Sequence, residues 1–453
     1  MSQRWYHDAT RGQWLALAAA LLGWMFDGFE MGIFPPLSRT ALVALLRSEL
    51  ATSADLELGE GEVSLAKVLE QRVGEWNGYI SAAFLVGAAC GGWLFGWIGD
   101  RIGRVRAMVL SVLTYAIFTG LCGLALQPWH LAVLRFIAAL GMGGEWALGV
   151  ALVMESWPAR SRVVLAGLIG AAANVGFMLA AGLVLSASAA GLRTEEGGWR
   201  WLLGFCAFPA LLTFFIRMFV PESEQWHRAR ESGPKPSLTE IFAPGLCYRT
   251  LIGAALAGIA LVGTWGSIQW VPLWVSRLAG PQMASLAQIS SGLGAVLGSY
   301  CGAALGQYLS RRVTYFLLSL GSLGICAVLF RFPVSFGTPE PGDPSWAAWL
   351  AAVDWLFLAV IFAAGFLTAS FYGWLPLYLP ELFPTRVRAT GQGFAFNAGR
   401  IVAAAGALSM GYLMKFVFAG DYSQAGATIS LIYAAGLAAI WLAPETRGRP
   451  LPH

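Results

Sequence analysis

The sequence predicts an all-α membrane protein with twelve transmembrane helices in two pseudo-symmetric six-helix bundles and both termini in the cytoplasm. Composition is the first reason: 57% of the 453 residues are hydrophobic and 12% are charged, whereas a soluble domain averages about 25% charged residues. The second reason is that apolar runs near the roughly 20 residues needed to cross a bilayer recur along the chain. The third is an internal duplication that divides the chain into two similar halves.

The duplication is clearest in an eight-residue motif at 155–162 that returns 226 residues later, at 381–388. Its Glu, its Pro and both of its Arg residues recur in place. A shorter motif at 221–223 returns at 444–446. Duplicated halves in a membrane protein are typical of a transporter that moves one half against the other around a central site.

Twelve apolar runs define the predicted spans, and six fall in each half. They cover 14–36, 77–98, 106–125, 129–153, 162–186, 199–219, 249–275, 283–309, 312–331, 347–379, 388–413 and 424–443. We therefore expect a first bundle over 1–219, with an outer loop at 37–76, and a second bundle over 249–453. The polar, proline-broken segment 220–248 is predicted to be a cytoplasmic linker. Within the outer loop, 64–70 has the pattern of a short amphipathic helix.

Charge sets the predicted orientation. The segments 101–106, 221–250, 311–312 and 447–449 are rich in Arg, and alternation of the spans places them all on one side. The loop 37–76 carries acids on the other side. The positive-inside rule then predicts cytoplasmic termini in a multi-pass protein of the cytoplasmic membrane.

Two carboxyl groups in the first span indicate proton coupling. Asp27 and Glu30 are three residues apart, so they share one face of a helix. A carboxyl group near the bilayer centre is costly unless it is paired, hydrated or protonated. Movement between dry and wet surroundings, or toward and away from Arg135, changes its affinity for a proton. Glu145 in the fourth span is a third buried acid, for which packing and coupling roles both stay open.

A glycine-rich basic loop at 96–104 follows the second span. Its glycines permit a sharp reversal, and Asp100 can cap the helix that follows, while Arg101 and Arg104 hold the inner side. The second-half loop keeps glycines and arginine but has Ser310 in place of Asp100. We therefore predict that Asp100, Arg101 and Arg104 belong to a cytoplasmic gate, and that the gate is looser in the second half.

An arginine in the eleventh span indicates an anionic substrate. The duplication aligns 174–177 with 397–400, so Arg400 stands where the first half has Phe177. A lone cation in a span needs an anionic partner, and the planar guanidinium suits a carboxylate. Arg400 and Asn397 are thus predicted to bind substrate, although a structural pair with a buried acid is the alternative for Arg400.

The seventh span supplies two further candidates for substrate binding. Trp265 and Gln269 are one helical turn apart near the middle of the span, so both can line a cavity. Aromatic residues in spans are also typical of interfacial anchors and of packing.

Taken together, these motifs resemble the major facilitator superfamily over nearly the whole chain. The loop at 96–104 is similar to its signature between helices two and three. Arg135 followed by glycines and Glu155 resembles the fourth-helix pattern of the sugar-porter branch. The run 27–30 resembles the Asp-Gly-x-Asp motif of aromatic-acid and sialic-acid proton symporters, with Glu30 at the second Asp. An arginine at the position of Arg400 resembles the carboxylate site of such symporters, and the paired glutamines of sugar porters are missing.

The resemblance also implies a cytoplasmic gate. In related transporters the Glu and the last Arg of each repeated motif form ion pairs that lock the outward-open state. Here these residues are Glu155, Arg162, Glu381 and Arg388, in the pairs 155/162 and 381/388. The alternative is that they only cap helix ends at the membrane surface, where isolated pairs contribute little.

The expected function is proton-coupled symport of a small organic anion, such as an aromatic acid or sialic acid. A proton gradient drives such a protein, so we expect no cofactor, no enzymatic activity, no nucleic-acid partner and a monomer. The six cysteines show no metal-ligand spacing, and no metal site is expected. The alternatives are a sugar or polyol symporter, an exporter of drugs or metabolites, and a sensor that binds without transport.

Overall fold

The computed structural model describes residues 9–52, 62–189, 197–207, 211, 217–231, 236–279, 281–334, 353–412, 417–418 and 421–452. These residues form helices and turns, and none of them belongs to a β-strand. The first half contains α1 (Arg11–Thr52), α2 (Glu62–Ile102), α3 (Arg104–Cys122), α4 (Pro128–Ser156), α5 (Arg162–Ala189) and α6 (Gly198–Phe205). A short helix, α7 (Glu224–Glu231), follows in the linker.

The second half repeats this helical arrangement in more pieces. It contains α8 (Cys247–Gly266), α9 (Val271–Ala279), α10 (Pro281–Tyr308), α11 (Arg311–Leu329), α12 (Trp355–Leu382), α13 (Arg388–Asn397), α14 (Gly399–Tyr412), α15 (Tyr422–Ser430) and α16 (Ile432–Ala439). Single 3-10 turns lie at Ala159–Ser161, Glu240–Phe242, Ile268–Trp270, Thr385–Val387 and Ile440–Leu442.

Ten helical segments of the described chain are long and apolar enough to cross a membrane. They are Arg11–Phe34, Arg72–Ile102, Arg104–Cys122, Pro128–Ser156, Ala159–Leu183, Cys247–Trp270, Met283–Tyr308, Arg311–Leu329, Trp355–Leu382 and Tyr422–Leu442. They match ten of the predicted spans and confirm the all-α membrane fold. The other two predicted spans, 199–219 and 388–413, each include residues outside the described ranges.

Helices α1 and α2 extend into the segment 37–76, where the sequence predicts a loop. Apolar residues there, such as Leu42 and Leu46, recur at helical spacing and pack in one buried cluster with Val73 and Trp199. This buried face keeps α1 helical over 42 residues, about 63 Å, or twice the bilayer core. The predicted amphipathic helix at 64–70 is part of α2, and 53–61 lie outside the described residues.

Glycines allow close approach where helices cross. A Cβ atom on Gly298 of α10 would overlap the backbone carbonyl of Phe366 on α12, and one on Gly302 would overlap that of Ser370. Helix α2 meets α13 of the other half in the same way, because a Cβ on Gly393 would overlap the carbonyl of Gly92. Such contacts suit a membrane interior, where apolar burial alone does not drive helices together.

We expect the substitution Gly298→Ala to lower the free energy of unfolding by about 1–3 kcal/mol, the usual cost of overpacking. Thermal unfolding in detergent measures the change. Gly324→Ala is the matched control, since a Cβ there meets no described atom within 4 Å and alanine favours the helix. An equal loss of stability in both variants would contradict the close approach of α10 and α12.

Candidate functional site

A cavity of about 60 Å³ lies where the two halves face each other, and we call it the central cavity. Helices α1 and α5 line it from the first half, and α8, α10, α12, α13 and α14 line it from the second. Apolar and aromatic side chains form most of its wall, and several polar side chains interrupt it. The aromatic residues are Trp24, Phe177, Trp265, Tyr372 and Phe396, and the polar ones include Asn174, Thr264, Gln269, Ser291, Thr368 and Arg400. A mainly apolar wall with a few polar groups is typical of a small-molecule site.

Arg400 is the charged residue of this lining, and two of its guanidinium nitrogens lack a hydrogen-bond partner in the described chain. The side chain is 3% exposed, and its Nε and Nη1 atoms have no hydrogen-bond partner among the residues that the structure describes. It lies 6.0 Å from the ring centre of Phe396. The alternative of a structural ion pair is not observed, because Arg400 forms no salt bridge within the described chain. A buried cation without a partner is costly, and an anion in the cavity would remove that cost.

Trp265 and Gln269 line the central cavity, where their spacing predicts them. The ring of Trp265 lies 6.5 Å from that of Phe177 on the opposite half. Tyr372, an aromatic residue of the tenth predicted span, also lines the cavity. Sequence reasoning missed Thr264, another lining residue, because hydroxyl groups in spans give no distinctive pattern.

Asn397 differs from the prediction, because it does not line the central cavity. Its Nδ2 atom donates hydrogen bonds to the carbonyl of Gly143 on α4, at 3.1 Å, and to that of Gly393, at 2.9 Å. The side chain is 1% exposed. Asn397 therefore joins α13 to the first half, one helical turn before Arg400.

Glu30 and Arg135 form a buried ion pair. Thr119 donates a hydrogen bond of 3.3 Å to Oε1 of the same carboxylate. The Arg135 guanidinium lies between the rings of Phe34 and Phe84, 4.2 and 4.4 Å from their centres. Of the two acids predicted to approach Arg135, Glu30 is the one that contacts it.

Asp27 is fully buried, and neither of its carboxylate oxygens has a hydrogen-bond partner within the described part of the chain. The charged groups that act on it are Glu145, Arg217 and Arg400. A carboxyl group in such surroundings must be neutralised by a proton or by a counter-charge.

Glu145 pairs with Arg217, a residue that sequence reasoning missed. Arg217 donates to Oε2 of Glu145 at 2.9 Å and also contacts Oε1. It further donates to the carbonyls of Met108, at 2.9 Å, and Ala19, at 3.2 Å. The signal in the sequence was Glu145 itself, because a buried carboxylate in a membrane span requires a cationic partner.

A second group of functional candidates lies at the end of the bundle that holds Asp100, Glu155 and Glu381, which we call the motif end. Asp100 accepts hydrogen bonds from the backbone nitrogens of Ala389, at 3.2 Å, and Thr390, at 2.8 Å. It also accepts one from Thr390 Oγ1 at 2.5 Å and pairs with Arg104 at 2.8 Å. Asp100 thus caps the start of α13 in the other half, not the following helix, because a helix N-terminus attracts a carboxylate.

Glu155 joins the two halves at the motif end. It pairs with Arg104 at 3.0 Å and with Arg388 of the second half at 2.9 Å, and all three side chains are fully buried. The implied pairs 155/162 and 381/388 are therefore wrong. The 3-10 turn of each motif carries its last arginine away from its own glutamate, so that Arg388 crosses to the other half.

The second half repeats part of this arrangement. Glu381 pairs with Arg311 at 2.7 Å, as Glu155 pairs with Arg104. Arg311 also donates to the carbonyl of Gly306, as Arg104 donates to that of Gly99 at 2.9 Å. The two halves therefore use the same local geometry, with an arginine that closes its own loop and holds a motif glutamate.

This geometry corrects the alignment of the two loops. Ser310 immediately precedes Arg311 and caps α11, with an oxygen that accepts from Val313 N at 3.1 Å. It corresponds to Gly103, which precedes α3. The counterpart of Asp100 is therefore Gln307, which is exposed, and the second half still lacks a carboxylate at this position.

Arg101 and Arg162 stand apart from these ion pairs. Arg101 lies over the ring of Trp97, 4.7 Å from its centre. Arg162 forms no salt bridge with another described residue, and Glu381 acts on it only at longer range. Both residues were predicted to belong to the gate, and neither makes a direct contact there.

Glu445, in the repeated C-terminal motif, accepts backbone hydrogen bonds from Arg447 at 2.9 Å, Arg312 at 3.2 Å and Arg311 at 3.1 Å. Burial alone would raise the pKa of Glu445, but these N–H groups hold it below its ordinary value. The carboxylate therefore fixes the start of α11 to the end of the chain.

The linker also contacts both halves. Phe242 lies 6.2 Å from the ring centre of Trp93 on α2 and 5.0 Å from that of Phe394 on α13. Trp93 donates to the carbonyl of Leu238 at 3.1 Å, and Glu240 pairs with Arg386. The segment 236–246 is therefore a strap that covers the line where α2 meets α13.

The chain is similar to known proteins over most of its length. A family model described as "Sugar (and other) transporter" matches residues 15–241 and again 227–453. The chain is 30% identical to a probable 4-methylmuconolactone transporter of Cupriavidus pinatubonensis, over 98% of this chain and 93% of that one. It is also 30% identical to the cis,cis-muconate transport protein of Acinetobacter baylyi, over 83% and 88% of the two chains. The fold resembles that of the proton:xylose symporter XylE, with a TM-score of 0.74, 18% identity and 97% of each chain covered.

Removal of the Glu155 charge should destabilise the protein strongly. Glu155→Gln leaves Arg104 and Arg388 buried without their shared counter-charge, and breaking a buried ion pair costs about 3–5 kcal/mol. We expect a lower melting temperature in detergent than for Arg162→Gln, the control, whose guanidinium has no such pair. Equal melting temperatures for the two variants would show that the Glu155 contacts do not hold the halves together.

Proposed function

Since the chain belongs to the sugar (and other) transporter family of the major facilitator superfamily, we propose that it is a proton-coupled symporter of a small organic anion. Members of this family are membrane transporters and not enzymes. The proposed location is the cytoplasmic membrane, with the motif end facing the cytoplasm. A proton gradient supplies the energy, so the transport cycle requires no cofactor, and a monomer contains the whole pathway.

The observation that carries this proposal is the buried guanidinium of Arg400 in the central cavity, which forms no salt bridge with a described residue. An arginine binds a carboxylate through two parallel N–H groups, and Nε and Nη1 lack protein partners in the described residues. Gln269 and Trp265 line the same space and supply an amide and a flat apolar surface. The names of the muconolactone and muconate relatives support an organic acid as the cargo.

Asp27 and Glu30 are proposed to carry the coupled proton, with Arg135 adjusting the charge of Glu30. Both acids lie on α1, which lines the cavity through Trp24 and Met31. At the motif end, Asp100, Arg104 and Glu155 hold the cytoplasmic side closed through Thr390 and Arg388. Opening toward the cytoplasm has to break these contacts, since they join residues of opposite halves.

Uptake into proteoliposomes tests the function. The external medium contains a mixture of organic acids, sugars and amines, with or without an inward proton gradient, and internal solutes are identified by mass spectrometry. We expect one carboxylate to accumulate only with the gradient. Accumulation of a neutral sugar would overturn the organic-anion assignment in favour of a sugar or polyol symporter, and extrusion of solutes would favour an exporter.

Arg400→Gln should reduce uptake of that carboxylate at least tenfold, because a hydrogen bond to a charged group contributes about 1.5–3 kcal/mol. Arg400→Lys should retain part of the activity through its charge. Arg228→Ala, at an exposed position on α7, is the control and should transport normally. Undiminished uptake by Arg400→Gln would show that the carboxylate binds elsewhere.

A further inference from the structure

We propose that Gln392 and Arg388 form a second binding site for the carboxylate, on the route by which the anion leaves the central cavity toward the motif end. We call it the exit site. It rests on the proposed function and adds a further contact for the same cargo. The two residues lie on the face of α13 that packs against α4 while the motif end is closed.

Four residues at intervals of four follow one another along α13 and the first turn of α14. They are Arg388, Gln392, Phe396 and Arg400, and each is no more than 3% exposed. Such spacing places each side chain beside the preceding one on the helix surface. Arg400 accordingly lies over the ring of Phe396, 6.0 Å from its centre. The two arginines therefore stand at opposite ends of one buried stripe.

This stripe faces α4 of the other half. Arg388 pairs with Glu155 at 2.9 Å. The ring of Phe396 stacks on that of Trp146, with 3.8 Å between the ring centres and 12° between the planes. The two contacts have nearly the same spacing on both helices, so α13 and α4 run side by side in opposite directions between them. Gln392 therefore lies midway along a packed interface between the two halves.

Gln392 makes no hydrogen bond in this closed interface. It is fully buried, and neither Oε1 nor Nε2 has a partner among the described residues. The indole nitrogen of Trp146, on the facing helix, also lacks one within the described chain. Buried polar groups are nearly always hydrogen-bonded, and an unpaired amide destabilises the state that contains it. The amide therefore points to a use in a conformation in which α13 and α4 have separated.

Opening of the motif end would leave Arg388 without an acid. Glu155 keeps Arg104 of its own half as a partner, whereas Glu155 is the acid that pairs with Arg388 in the described residues. The other hydrogen bonds of Arg388 go to the backbone carbonyls of Phe383 and Pro452 in its own half. A cation that loses its counter-charge in such surroundings requires another anion.

A carboxylate that leaves Arg400 would meet these groups in turn. Gln392 can donate through Nε2. One helical turn farther on, Nη1 of Arg388, which Glu155 occupies in the closed conformation, offers an N–H group to the anion. Arg388 and Arg400 are about 18 Å apart along the helix. An intermediate donor shortens the distance that the anion crosses without a partner.

Transport measured from each face of the membrane tests the exit site. Right-side-out and inside-out membrane vesicles, without an imposed proton gradient, give the KM for the carboxylate at the outer and cytoplasmic faces. The probes are cis,cis-muconate, 4-hydroxybenzoate and N-acetylneuraminate. For Gln392→Leu we expect the cytoplasmic KM to rise about fivefold, the effect of one lost hydrogen bond, and the outer KM to stay unchanged. The maximum rate of uptake should fall by the same factor, because the equilibrium between the two sides is unaltered.

Two further variants serve as controls. Gln392→Asn keeps the amide and should stay closer to the unaltered protein than Gln392→Leu does. Gln127→Leu is the same substitution at an exposed position and should leave both KM values unchanged. The melting temperature of Gln392→Leu in detergent should equal or exceed that of the unaltered protein, since no hydrogen bond of the closed conformation is lost.

An unchanged cytoplasmic KM in Gln392→Leu would overturn the exit site while the proposed function stands. A lower melting temperature with equal losses at both faces would also overturn it, because the amide would then act only in folding. If the unaltered protein carries none of the three carboxylates, even under a proton gradient, the proposed function fails and the exit site fails with it. Should Gln392→Leu not fold, Gln392→Met, with an unbranched apolar side chain, replaces it in the same measurements.

Discussion

The carboxylate of Glu155 is the contact on which the closed motif end depends. It is shared by Arg104 of its own half and Arg388 of the other, and all three side chains are buried. A buried charge that loses its partner is far more costly than an exposed one, so these groups separate only when water reaches them. Asp100 strengthens the same connection through the start of α13. The motif end is therefore closed by charges that tolerate either contact with each other or hydration, which is the behaviour required of a gate.

Helix α13 and the first turn of α14 connect the motif end to the central cavity. Arg388 lies at the start of α13, and Arg400 lies twelve residues further on, a distance of about 18 Å along a helix. Between them, Asn397 binds the carbonyl of Gly143 on α4, and Gly393 meets Gly92 on α2. In the proposed transport cycle, we expect a displacement of this segment to move Arg388 and Arg400 together. The close glycine contact leaves no room for a side chain between α13 and α2.

The sequence predicts the positions of features better than their partners. Composition, span length and duplication are local or statistical properties of the sequence, and they were enough to predict the fold. Periodicity was enough to place Trp265 and Gln269 in the cavity, and the departure of Arg400 from its duplicate was enough to single out a residue of the cavity lining. Pairing depends on the packing of distant segments, so Arg217 was missed and Asn397 was assigned to the wrong surroundings. The resemblance misled at the motif glutamates. It implied that each half closes on itself, whereas Arg388 crosses to Glu155. The 3-10 turns that redirect these arginines have no distinctive sequence pattern.

The aromatic strap at 236–246 has a consequence for the evolution of such a protein. Phe242 packs against Trp93 of one half and Phe394 of the other, and none of these three residues lines the central cavity. When the two halves separate where α2 meets α13 in the proposed cycle, the Phe242 ring loses part of its packing contacts. In the proposed transport cycle, we therefore expect substitutions in the strap to alter how long one conformation persists and to leave the choice of cargo unchanged. Turnover and selectivity would then depend on different residues, and selection could adjust the rate of the cycle through a short segment of the linker.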